Sequence, residues 1–115
     1  MKNSLSFSLL FLTLVLAACG GSKVALSPNT PDLSAAKARF PEYTFEQYEA
    51  GKTIYTKHCG SCHSLYAPGS KTEPTWTKFI PRMAEKVNKN AGGMVITSEG
   101  EALIFRYLLA QGMAH

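Results

Sequence analysis

The chain has 115 residues, 45% of them hydrophobic, and a formal net charge of +4. That length allows one small domain with a thin apolar core, so the fold calls for a staple such as a disulfide, a metal or a cofactor. Lysines are interspersed with acids and no long basic run occurs, which argues against a dedicated nucleic-acid surface.

The first element is an address. Met1-Lys2-Asn3 is short and positive, and Leu5 to Ala18 is an almost unbroken apolar run. A bilayer span needs about 20 apolar residues, so positions 1–18 read as a signal peptide. The run ends Leu16-Ala17-Ala18-Cys19-Gly20, which resembles the lipobox of bacterial lipoproteins. The resemblance implies a mature chain that begins at a lipidated Cys19 and is held on a membrane by its acyl chains. Gly20, in place of an acid, implies by the same resemblance the outer membrane of the cell envelope, facing the periplasm. The alternative is an ordinary signal peptide with an incidental cysteine. Positions 19–39 carry Pro28, Pro31, Ser, Asn and Thr and read as a flexible tether. The folded domain is expected over 40–115.

Thr44-x-x-Gln47 has the form of a capping box opening a helix. Phe45, Tyr48, Gly51 and Tyr55 then share one face. A mid-helix glycine costs about 1 kcal/mol against alanine, so Gly51 points to a close helix crossing. The helix should run to near Lys57.

Cys59-Gly60-Ser61-Cys62-His63 is the most informative stretch. Two cysteines three apart, followed at once by histidine, read as a c-type haem attachment site. Each sulfur can join one haem vinyl group as a thioether, and His63 then lies where its imidazole can bind the iron. Gly60 and Ser61 are small enough for the chain to pass near the porphyrin edge. A redox dithiol would use Cys59 and Cys62 too, but in a β-α-β setting that the flanking sequence lacks. A structural zinc site would need another ligand at workable spacing, and His58 is too close in sequence to close a tetrahedron well. A Cys59–Cys62 disulfide would leave His63 without a role.

A third segment, from Thr72 to Lys86, carries Trp76, Phe79, Ile80, Met83 and Val87 at helical spacing. Pro81 should kink or split it. Asn88 to Val95 has the composition of an insertion. Ser98-x-x-Glu101 again has capping-box form, opening a last helix with Leu103, Ile104, Tyr107 and Leu108 as its apolar stripe. Met113 falls at a frayed end.

A glycine-bearing first helix, a Cys-x-x-Cys-His and an aromatic-bearing last helix together resemble class I cytochromes c, over Thr44 to Leu109. The resemblance implies an all-α domain of three to four helices around one covalent haem c, with Gly51 against Tyr107 where the first and last helices cross. Leu65-Tyr66-x-Pro68, Trp76 and Met83-Ala84-x-Lys86 are similar to small monohaem lipoprotein cytochromes, which implies Met83 as the distal ligand opposite His63. Class I cytochromes take this methionine from a loop before the last helix, which implies Met94, after Gly92-Gly93, as the alternative. Neither position fits the class I spacing, Met83 lying too far from Tyr107 and Met94 too near. Another ligand or an open sixth site completes the choices. The expected function is single-electron transfer to redox partner proteins, without enzymatic chemistry. The alternative is a haem protein whose open sixth site binds or reduces a small ligand. Lys57, Lys78, Lys86 and Lys89 are candidates for the crevice edge and Arg82 for a propionate, although ordinary solvated side chains explain all five. Trp76 reads as packed core.

Overall fold

The computed structural model describes residues 31–113. Positions 1–18, read above as a signal peptide, and Cys19 lie outside the described residues. Four α-helices follow in order: α1 (Ser34–Arg39), α2 (Phe45–Ile54), α3 (Glu73–Ala91) and α4 (Ser98–Ala110). Among the described residues no helix is long and apolar enough to cross a membrane.

Helix α1 occupies residues that composition assigns to the tether. Six residues cannot hold a helix in water by themselves. Packing on α4 holds this one: Ala36 is fully buried, and Leu33 and Phe40 pack against the core. Arg39 also pairs with Glu73 at the start of α3. The compact part of the chain therefore starts before Phe40.

Thr44 caps α2 as expected. Its hydroxyl accepts from the Gln47 N–H at 3.2 Å, and the Gln47 side chain accepts from the Thr44 N–H at 3.2 Å. At its C-terminal end the helix widens into a π turn, Tyr55–Cys59. Thr56 donates back to the Lys52 carbonyl at 2.9 Å, a bond that competes with the regular ladder and bends helices. Such π turns recur at functional sites, and this one delivers the first cysteine.

The crossing of α2 and α4 is the main helix–helix packing. A Cβ on Gly51 would stand 2.3 Å from the Leu103 carbonyl oxygen and 3.0 Å from Tyr107 Cβ. Only glycine lets the backbones approach this closely, and the expected contact of Gly51 with Tyr107 is present.

Three boundaries differ from the sequence reading. Helix α3 runs unsplit through Pro81 to Ala91. Pro81 and Thr77, whose carbonyl it deprives of a donor, are both exposed, so the missing bond falls on the solvent side, while Trp76, Ile80 and Ala84 are buried. The helix ends only at Gly92, φ 69°, with Gly93 N–H bonded to the Asn88 carbonyl at 3.1 Å, a Schellman closure. Thus Asn88 to Ala91 belong to the helix and not to an insertion. The cap of α4 is Thr97, whose hydroxyl accepts from Gly100 N–H at 3.1 Å, so Ser98 is already helical. The turn comes one residue early because Ile96, 2% exposed, is anchored in the core just before it. Met113, expected at a frayed end, is 1% exposed and part of that core.

Candidate functional site

A narrow apolar cleft lies between α3 and the end of α2. The π turn supplies Tyr55 and Cys59 to one wall. Helix α3 supplies Trp76, Phe79, Ile80, Met83 and Ala84, because these residues recur at helical spacing along its buried side. Leu65 and Tyr66 form a lip, and Ile96 and Ile104 close the floor.

Burial in this cleft pushes the Cys59 thiol up from its ordinary pKa, so the sulfur is held neutral. The same desolvation raises the Tyr55 phenol to about 12. Its hydroxyl donates to the Tyr66 carbonyl. Among the described residues no charged side chain lines the cleft.

Of the sequence-predicted residues, Cys59 and Met83 both line the cleft, from different elements. Cys62 and His63 stand on the exposed loop that follows. Tyr66 joins the two regions, lining the cleft while its ring lies 5.2 Å from the His63 ring. His63 Nδ1 is 2.7 Å from the Ser64 carbonyl oxygen. A carbonyl can only accept, so Nδ1 carries the proton and Nε2 keeps its lone pair for a metal. A backbone carbonyl on the second ring nitrogen is the usual support of a metal-bound histidine. Met94 is 77% exposed and absent from the cleft. Lys57, Lys78, Arg82, Lys86 and Lys89 are likewise exposed and do not line it.

The cation beside the cleft is Lys71, which the sequence reading passed over. Its ammonium lies 4.0 Å from the Tyr66 ring centre and 5.2 Å from that of Phe79. Nothing in the local sequence marks it, since both rings come to it through the fold. Asn88 was also missed as a structural device. Its amide oxygen accepts from Val95 N–H at 2.9 Å and Ile96 N–H at 2.8 Å, and its amide nitrogen donates to the Ile96 carbonyl at 2.8 Å. These bonds set Ile96 into the cleft floor.

The donor set fits a haem. The cleft offers apolar and aromatic walls, a neutral thiol and a thioether. Beside it stand a second thiol and an imidazole in the metal-binding tautomer. Among the described residues no three His, Cys, Asp or Glu side chains gather as a metal site of another kind.

The Cytochrome c family model matches residues 48–95. A nitrite reductase of Stutzerimonas stutzeri is 43% identical over 49 residues, which cover 40% of this chain and 9% of that protein. The chain thus spans about a tenth of the curated relative it matches. No solved structure matches. The matched segment runs from Tyr48 to Val95, through the motif, all of α3 and every cleft residue but Ile96 and Ile104. The described residues form an all-α domain, and its 48–95 segment matches the Cytochrome c family. That family carries covalently attached haem c, the group the cleft and the motif loop fit.

Proposed function

We propose that the chain is a lipid-anchored monohaem cytochrome that passes single electrons at the periplasmic face of the cell envelope. Cys59 and Cys62 would hold the haem by two thioethers, His63 would bind the iron through Nε2, and Met83 would be the distal ligand. Bound haem supplies a one-electron couple at its iron. The chain's residues keep that site dry and rigid. Tyr55, Trp76 and Ile104 exclude water, and the hydrogen bond to Ser64 fixes the His63 tautomer. A methionine thioether in place of a stronger donor raises the reduction potential. The anchor rests on the Cys19 lipobox.

The observation that carries the ligand assignment is the contrast between the two methionines. Met83 shares the apolar cleft with Cys59, whereas Met94 points into solvent. The test is a haem stain after denaturation, followed by the oxidised-state spectrum of the wild type, Met83→Ala and Met94→Ala. The wild type and Met94→Ala should keep the weak near-infrared-edge band of methionine ligation, and Met83→Ala should lose it. Loss in Met94→Ala alone would move the assignment to Met94. A wild type without the band would favour the open-site reading, in which a small ligand binds or is reduced at the iron. The similarity to a segment of a nitrite reductase keeps that reading in the test.

A further inference from the structure

We propose that Tyr55 and Trp76 are positioning residues that pin the loop carrying His63, an inference that rests on the haem reading above. Residues 61–67 are all exposed. Ser61 bonds back to the His58 carbonyl and Ser70 to the Ala67 carbonyl, which curls the segment without attaching it to α3 or α4. Two ring donors from the cleft walls make the attachment. Tyr55, on the π turn, donates its hydroxyl to the Tyr66 carbonyl. Trp76, on α3, donates its indole N–H to the Pro68 carbonyl at 2.9 Å. The two carbonyls flank Ala67, so the loop is held from two elements at adjacent points.

The donors are buried, at 4% exposure for Tyr55 and 3% for Trp76. If the loop swung away, both would be left unpaired in an apolar wall, at the full desolvation penalty of each group. Detachment is therefore resisted by the donors more than by the exposed loop itself. The constraint reaches the ligand through Tyr66. Its backbone is fixed by Tyr55, its ring lies 6.5 Å from Trp76 on one side and 5.2 Å from His63 on another, and Lys71 covers it from outside. Sequence alone gives Tyr55 and Trp76 as packed core. The hydrogen bonds make them supports of a site neither occupies as a ligand.

The test uses the full haem-loaded chain and the variants Tyr55→Phe and Trp76→Phe, which keep a ring and lose the donor. Amide hydrogen exchange at Ser61 and Ser70, whose N–H groups bond to the His58 and Ala67 carbonyls, should quicken about fivefold, the loss of one net hydrogen bond, while amides in α4 keep their rates. In NMR of the oxidised protein, solvent exchange of the His63 Nδ1 proton should quicken alongside. Tyr48→Phe is the control: it removes the bond that Tyr48 accepts from Gln111 at 2.6 Å, and it should change neither readout. The proposal is overturned if both test variants retain covalent haem and exchange at Ser61 and Ser70 at the wild-type rate, or if Tyr48→Phe loosens the loop equally. A wild-type chain without covalent haem would overturn the haem reading, and this inference with it.

Discussion

At the scale of single residues, the most exposed weakness is inside the core. Tyr43 is 1% exposed, and its hydroxyl has no hydrogen-bond partner among the described residues. A buried unpaired hydroxyl costs about 1–3 kcal/mol, so Tyr43→Phe should stabilise the protein by about 1 kcal/mol. In a domain of this size that is about 4–8 °C in Tm. A melting temperature equal to or below wild type would show that the hydroxyl has a partner after all. The same residue sets a pH limit. Burial raises the phenols of Tyr43 and Tyr55 from 10 to about 12. Below pH 10 both folded and unfolded chains keep these protons, and the stability they contribute is fully present. From pH 10 the unfolded chain ionises first, so stability falls as pH rises through about 12. Urea titrations along that range should show a plateau and then a decline, and the decline should be shallower in Tyr43→Phe.

At the scale of elements, the α2–α4 crossing is the point that tolerates least change. In Gly51→Ala the new methyl would meet the Leu103 carbonyl oxygen at 2.3 Å. That oxygen belongs to helix backbone and cannot rotate aside, so the helices must part, at about 1–3 kcal/mol or more. The propensity gain of about 1 kcal/mol from replacing a helical glycine offsets only part of this. A urea midpoint at or above wild type would mean that the helices separate freely. Asn88→Ala should act more locally. Three loop bonds are lost, so amides of 93–96 should exchange faster while those of α2 hold. This crossing was legible in the sequence because a glycine amid aromatic residues is anomalous unless something lies against it. The Thr44 box was legible because both partners are four residues or fewer apart. The end of α3 and the Thr97 cap were not. Both depend on Ile96 being drawn into a core built from distant segments, and a local pattern carries no sign of that. The cysteines and His63 announce their chemistry by spacing, but the choice of cleft over solvent for Met83 and Met94 is visible only in three dimensions.

At the scale of the whole molecule, the question is where the domain begins. Composition places 19–39 in a tether, because it carries Pro28, Pro31 and small polar residues. Helix α1 nevertheless completes the outer side of α4. Ala36 is fully buried, Phe40 meets Phe105 edge-on with ring centres 6.5 Å apart, and the Arg106 guanidinium lies 4.4 Å from the Phe40 ring centre. Ordering six residues costs about 1–2 kcal/mol each in backbone entropy, which cancels most of what this burial contributes. The surface pair Arg39–Glu73 adds about 1 kcal/mol at most. The net effect of α1 is therefore modest, but its sign is set by the alternative, which leaves an apolar side of α4 in water. A chain starting at residue 40 should melt below one starting at residue 31, by about 4–8 °C for each kcal/mol lost. Its oxidised spectrum should not change, because α1 contributes nothing to the cleft lining. Equal melting temperatures would return 33–39 to the tether. An altered spectrum would show that α4 transmits the loss of α1 to Ile104 on the cleft floor, and the cleft would then depend on the whole bundle and not on α2, α3 and the motif loop alone.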